Sequence, residues 1–178
     1  CGIFSVLNFI SSNESTPDEG FISNAELAFY YGKSRGPEKS VFNTDFIVKF
    51  NAIFGFHRLA INGMDNISNQ PIICNNILLI CNGEIYNYKK LYEEMALHPD
   101  SILSNSDCEV IIHMYLKYGI DYTLRQLDAE FSFILFDFRD KNNANLFIAR
   151  DPYGVRPLFI GGSCNYIGFA SEMKQLNA

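Results

Sequence analysis

A chain of 178 residues, 48% hydrophobic with 16 Phe and 10 Tyr, can bury a real core and is too apolar to be disordered. Its net charge of -6 comes from scattered acids, so the basic face that nucleic-acid binding needs is missing. The five cysteines (Cys1, Cys74, Cys81, Cys108 and Cys164) form no CxxC pair, which excludes a zinc ribbon or thioredoxin-type motif and suits a reducing, cytoplasmic compartment.

Residues 2–10 read as a buried strand. No basic segment precedes this apolar opening and polar residues follow from Ser11, unlike a signal peptide. No run reaches the length of a membrane span. Residues 11–20, rich in Ser, Asn and Asp, predict a loop. Ile22, Ala25, Leu27, Ala28 and Tyr31 lie at helical spacing, predicting a helix over 21–32 stopped by Gly32. A polar loop centred on Gly36-Pro37 spans 33–40. Strands are predicted at 45–50, 53–61, 72–74 and 77–81, the last interrupted by Asn82-Gly83, a strong turn signal.

Helices follow at 87–97 and 106–118, and Ser106 with Glu109 matches a capping box at the start of the second. A short helix near 121–128 precedes strands at 131–138, 145–149, 157–160 and 165–170. Asp151-Pro152-Tyr153-Gly154 reads as a tight turn, and Gly161-Gly162-Ser163 as a hairpin turn. A helical turn at 171–176 ends the chain. Uninterrupted apolar runs such as 131–136 suit sheets covered on both faces. The order of elements argues for an α+β layered domain, and no composition shift marks a second one.

Cys1 is the chemical anomaly. Taken alone, a terminal Cys is best explained as an arbitrary boundary. A terminal residue nevertheless carries an α-amine with a reference pKa of about 7.7–8.0, matched to taking a thiol proton and returning it to a leaving group. Nucleophile and base then share one residue. Attack on an amide needs oxyanion donors, which Asn82 and Gly83 could supply as well as form a plain turn. An amino-acid substrate wants an Arg fork for its carboxylate, and Arg58 is the candidate. It wants acids for its ammonium, and Glu84 and Asp107 are the candidates; surface ion pairs are the commoner fate of such residues. His57, His98 and His113 read as structural. Cys108 and His113 lie five apart on different helix faces, which argues against a metal pair.

Five ordered segments now carry a resemblance. They are Cys1-Gly2-Ile3, then Arg35-Gly36-Pro37-Glu38, then Gly55-Phe56-His57-Arg58-Leu59-Ala60. Cys81-Asn82-Gly83-Glu84-Ile85-Tyr86-Asn87 with Ser106-Asp107-Cys108-Glu109 forms the fourth. Arg150-Asp151-Pro152-Tyr153-Gly154-Val155-Arg156-Pro157-Leu158, leading to Ala170-Ser171-Glu172, is the fifth. Together they resemble the glutaminase domain of class II, N-terminal-nucleophile (Ntn) glutamine amidotransferases, above all the asparagine synthetase branch.

The resemblance covers practically the whole chain and implies one amidotransferase domain over 1–178. Its implied fold is the Ntn-hydrolase αββα sandwich of two mainly antiparallel sheets between helix layers. It implies Cys1 as nucleophile, Asn82 and Gly83 as oxyanion hole, and Arg58 on the glutamine α-carboxylate. Glu84 and Asp107 would contact the α-amino group, and the backbone of Leu59, Ala60, Ile61 and Asn62 would line the substrate. Ser34 stands where the family has His, and Glu38 where it has Asp, in a loop that could cover the site.

The implied reaction frees ammonia from glutamine through a γ-glutamyl thioester and needs no cofactor or metal. ATP and Mg would belong to a synthetase domain or subunit that receives the ammonia and is marked by a Ser-Gly-Gly-x-Asp-Ser loop, which this chain lacks. No P-loop or dinucleotide fingerprint occurs either. Glutamine and that synthetase part are the expected partners; neither nucleic acid nor membrane is expected, and a homo-oligomer is left open. Three rivals remain: another branch of the family, a terminal-Cys acylase that would not need Arg58, Glu84 and Asp107, and a non-catalytic binding domain if Cys1 is not processed.

Overall fold

The computed structural model describes residues 1–9 and 19–177. In chain order it contains β1 (Gly2–Asn8), α1 (Glu19–Tyr30), β2 (Lys39–Asn43), α2 (Ile47–Phe50), β3 (Ala52–Arg58), β4 (Ile72–Cys74) and β5 (Ile77–Ile85). Then come α3 (Tyr88–Met95), α4 (Val110–Tyr118), α5 (Ile120–Gln126), β6 (Ala129–Asp137), β7 (Asn145–Arg150), β8 (Phe159–Gly162) and β9 (Tyr166–Ala170). Of the loop expected at 11–20, residues 11–18 lie outside the described ones, while Glu19 and Gly20 open α1. The chain divides into two compact units, Cys1–Leu59 with Pro157–Ala178, and Ala60–Arg156.

The first unit is built on an antiparallel sheet of order β2-β3-β1-β9-β8. Alternation along β1 sends Phe4 and Val6 to one face, where they pack with Ala25, Ala28 and Phe29 of α1 and Ile53 of β3. The helix stops at Tyr30, and Gly32 follows it for a contact and not for a left-handed bend. Gly32 has φ -86°, and a Cβ there would collide with the side-chain amide of Gln175.

The strand expected at 45–50 is not formed. Residues 47–50 make the short helix α2, closed by Asn51 in the left-handed region at φ 50°. Adjacent Phe46 and Ile47 are both buried while Val48 is 73% exposed, a pattern that strand alternation cannot produce. The pairing partner of β3 comes instead from the expected loop, with Lys39 opposite Arg58 and Asn43 opposite Phe54. The expected strand 53–61 ends at Arg58. Gly161 and Gly162 lie inside β8, and the hairpin turns after them, where the Ser163 N–H donates to Tyr166 O at 2.9 Å.

The second unit is built on an antiparallel sheet of order β4-β5-β6-β7. Ile77, Leu79 and Cys81 of β5, with Phe131, Phe133 and Leu135 of β6, face Leu91 and Met95 of α3 and Val110, Ile111 and Met114 of α4. The opposite face, with Leu78, Ile80, Ile134 and Phe136, is buried too, as the continuous apolar runs anticipate. Asn82-Gly83 is no turn. Both residues sit in the β5–β6 ladder opposite Ser132 and Phe131. Gly83 is required there by close approach, since a Cβ would lie 2.5 Å from Glu130 O and 2.9 Å from Phe131 Cα. The real hairpin turn is Asn75-Asn76, both left-handed at φ 51° and 58°, joining Cys74 to Ile77.

Ser106 caps the helical stretch that leads into α4, its Oγ accepting the Cys108 N–H. Only half of the expected capping box forms, because Glu109 reaches further back to Leu103 and Ser104. The Asp151 turn forms as expected. The Gly154 N–H donates to Asp151 O at 3.0 Å, and the Asp151 carboxylate accepts the N–H groups of Val155 and Arg156. Burial opposes ionisation of Asp151, but these backbone donors outweigh it and hold its pKa low. Among the described residues, no helix is long and apolar enough to cross a membrane.

Candidate functional site

In the first unit, β1 begins one residue after Cys1 and is held between two strands, with Gly2 opposite His57 and Phe4 opposite Ala170. The ladder to β9 is extended by Ser171, whose Oγ accepts the Ile3 N–H at 2.9 Å while its own N–H donates to Ile3 O. Arg35 Nε donates to Cys1 O at 3.2 Å. The Cys1 thiol lies against Leu59: Sγ donates to Leu59 O at 3.1 Å, and the Leu59 N–H points at Sγ at 3.4 Å.

Arg58 ends β3 and is 8% exposed. The loop from Ser34 to Glu38 lies on this end of the strand. Lys33–Arg35 forms a 3-10 turn, a Cβ at Gly36 would strike the backbone of His57 and Arg58, and the Glu38 N–H donates to Arg58 O at 3.2 Å. Ser34 and Glu38 themselves are exposed. His57 is fully buried and stacked on Phe29 at 3.9 Å between ring centres. Its Nε2 faces the Phe29 carbonyl at 2.9 Å and so carries the proton, leaving Nδ1 to accept from Ser40 Oγ at 2.8 Å. Burial keeps its pKa below the usual value, so this imidazole is a neutral structural bridge.

In the second unit, three of the expected residues are consecutive on β5. The amide of Asn82 is nearly inaccessible at 2% exposure, and its Nδ2 has no hydrogen-bond partner. A buried donor left unmade costs about 1–3 kcal/mol, so it calls for an acceptor supplied from elsewhere.

The backbone of Gly83 is aimed by strand geometry. Phe131, opposite it, spends its N–H and C=O on Asp151, so the Gly83–Phe131 pair is the non-hydrogen-bonded kind and Gly83 N–H points away from β6. The same edge of β5 presents Cys81 and Ile85. Gln70 caps Cys81 there from both sides, accepting its N–H and donating to its carbonyl. Asp107 Oδ2 accepts the Ile85 N–H at 2.6 Å. The edge that β4 does not reach is therefore lined in order by Gln70, Gly83 and Asp107.

Asp107 is 4% exposed, and burial pushes its carboxyl above the usual range. The Ile85 N–H and the Asn62 side chain oppose that rise, and the Glu84 charge adds to it. Glu84 is half-buried. Beyond β3 the chain leaves regular structure. Leu59 and Ile61 are exposed, Ala60 and Asn62 intermediate, and the division between the units falls after Leu59.

Within the first unit Cys1, Arg58 and Leu59 stand at one strand end; within the second, Asn82, Gly83, Glu84 and Asp107 stand at one strand edge. Three supporting residues carried no assigned role in the sequence reading: Arg35, Gln70 and Ser171. Two of them lie inside recognised segments; Gln70 had only its place before Pro71 as a signal. Glu109 was expected only as the capping-box partner of Ser106. His113 is buried, with Nε2 3.1 Å from Glu109 Oε1, a structural placement as expected.

The family model described as "Glutamine amidotransferase domain" matches residues 1–178. The chain is 40% identical over 148 residues, 82% of its length, to a probable glutamine-hydrolysing asparagine synthetase of Acanthamoeba polyphaga mimivirus. It is 35% identical over 185 aligned residues, covering 99% of the chain, to a probable enzyme of the same name from Dictyostelium discoideum, and 43% identical over 131, covering 71%, to that of Gallus gallus. It spans only 26%, 30% and 22% of those proteins, about a quarter of their length. Among solved structures, glutamine phosphoribosylpyrophosphate amidotransferase of B. subtilis, complexed with ADP and GMP, aligns at TM-score 0.72 over 99% of this chain and 43% of its own. At 22% identity that likeness is one of fold, and the fold is the α+β, two-sheet architecture the sequence led us to expect.

Proposed function

Because the chain belongs to the glutamine amidotransferase domain family, we propose that it hydrolyses glutamine to glutamate and ammonia with Cys1 as nucleophile. Cys1 Sγ bonds to the side-chain carbonyl carbon of glutamine while its proton passes to the α-amine of the same residue. The carbonyl oxygen becomes an oxyanion that accepts hydrogen bonds from Asn82 Nδ2 and the Gly83 N–H. Collapse breaks the C–N bond, the α-amine returns the proton, and ammonia leaves. Water then opens the thioester and frees glutamate. Arg58 holds the substrate carboxylate, Glu84 and Asp107 its ammonium, and the backbone of Leu59, Ala60, Ile61 and Asn62 the chain between them.

The observation that carries this reading is the buried Asn82 amide without an acceptor of its own. Such a donor needs an acceptor from water or a ligand, and the oxyanion of an attacked amide is an acceptor that suits it. The Leu59 N–H directed at Cys1 Sγ supports the nucleophile. We further propose that the ammonia serves asparagine synthesis in a synthetase domain or subunit, which the names of the relatives and the share of their length support. On this reading ATP and Mg belong to that part, and the glutaminase step uses no cofactor. That the described cysteines form no disulfide supports the reducing cytoplasm as its compartment.

The test is glutamate release from glutamine, with intact mass, for the native chain and Cys1→Ala. Release by the native chain, its loss on substitution, and a mass with Cys1 terminal are expected. Activity that survives the substitution refutes the mechanism, as does an active protein with residues preceding Cys1.

A further inference from the structure

The second unit contains both Asn-Gly dipeptides of the chain, Asn62-Gly63 and Asn82-Gly83. In such a pair the glycine, lacking a Cβ, leaves its backbone nitrogen unhindered to reach the asparagine side-chain carbonyl. The fold treats the two differently. Gly83 is locked in the β5–β6 ladder, where a Cβ would lie 2.5 Å from Glu130 O, and Asn82 is 2% exposed. Ring closure there would have to lift β5 off β6 and admit water to the core. Asn62 and Gly63 lie in the irregular stretch between β3 and β4, both of intermediate exposure, with Gly63 at φ 63°.

We propose that Asn62 is a site of spontaneous deamidation, and that the reaction ages the amino-acid-binding edge of the second unit. The Gly63 nitrogen, losing its proton to hydroxide, bonds to Asn62 Cγ. The Cγ–Nδ2 bond breaks, and the nitrogen leaves as ammonia after taking a proton from water. The cyclic imide is then opened by one water at either carbonyl, giving aspartate or isoaspartate. In sum one water is consumed and one ammonia released, with no oxidant or cofactor.

The consequence rests on the proposed function. Asn62 helps keep Asp107 ionised. Conversion replaces an amide donor by another carboxylate where Asp107 and Glu84 already stand, and the isoaspartate product adds a methylene to the main chain of the Leu59-to-Asn62 stretch. Loss of the Asn62 donor leaves Asp107 less firmly oriented, and the longer main chain displaces the substrate-lining stretch, so the substrate is held less well.

The modification itself is read without any activity assay. The purified chain is held at mildly alkaline pH, and the peptides carrying Asn62 and Asn82 are followed by mass spectrometry with isoaspartate-resolving fragmentation. Conversion at Asn62 should grow with time and with pH while Asn82 stays an amide, and in urea the two should convert alike. Equal persistence of both amides in the native chain, or earlier conversion at Asn82, overturns the proposal. Separately, Asn62→Asp should raise KM for glutamine by about tenfold, one unit on a logarithmic affinity scale. An unchanged KM overturns the stated consequence. A native chain with no glutaminase activity at all refutes the proposed function and leaves the deamidation result standing.

Discussion

Replacing Glu109 by Gln tests whether the acidic turn before α4 is held by charge or merely filled. Glu109 is fully buried. Its Oε1 accepts the Leu103 N–H at 2.7 Å and faces His113 Nε2 at 3.1 Å, while Oε2 accepts the Ser104 N–H at 2.7 Å and the Ser104 hydroxyl at 2.6 Å. Burial alone would raise its pKa, yet these donors outweigh burial and hold it below the usual value. An amide in the same place keeps one oxygen and turns an NH2 group toward two donors. The Ser104 or Leu103 N–H is then orphaned and the remaining bonds lose charge assistance, together costing about 2–4 kcal/mol.

Set against a domain stability of about 5–15 kcal/mol, that is a large share. With a urea dependence of about 2 kcal/mol per molar, the middle of the usual range, the unfolding midpoint should fall by about 1–2 M. The chain has no Trp, so far-UV circular dichroism is the signal to follow. A shift under about 0.5 M would mean that solvent reaches the turn and the carboxylate is replaceable, refuting the reasoning. Asp107 lies two residues away in the same 3-10 turn, so the variant should also raise KM for glutamine where it still folds.

Two further outcomes follow from the same geometry. Asn82→Ala should lower kcat for glutamate release by about 10²–10³, as loss of one oxyanion donor does, with a smaller effect on KM; an unaltered kcat would remove Asn82 from the reaction. Stability should fall as pH drops below 6.5, the ordinary His value, because the unfolded chain then binds a proton that buried His57 refuses. Urea midpoints measured across that range should decline, and His57→Gln should flatten that part of the profile; a decline of equal slope in the variant would place its origin elsewhere.

Most of the chemistry is legible in the sequence because it resides in residue type and order. A Cys ahead of a buried strand, an Asn-Gly after an apolar run, an Arg at the end of another, and the acids Glu84 and Asp107 show by residue type what each group can do. The apolar runs 53–56 and 131–136 likewise suggest strands, and both are buried along their whole length, as in a doubly covered sheet.

Other features depend on which strand finds which neighbour. Asn82-Gly83 has the local chemistry of a turn, yet nine paired residues between β5 and β6 outweigh that preference, and Asn75-Asn76 takes the turn instead. Residues 45–50 have strand-like composition, yet β3 pairs with Lys39–Asn43, leaving Phe46 and Ile47 to be buried by a helical turn. Gly32 and Gly83 answer to atoms of Gln175 and Glu130, 143 and 47 residues further along the chain. Such contacts are set by long-range packing, whose energy no local window contains. So the order of motifs behind Cys1 is what proposes it as a nucleophile, whereas the Leu59 N–H aimed at its sulfur is a product of the fold.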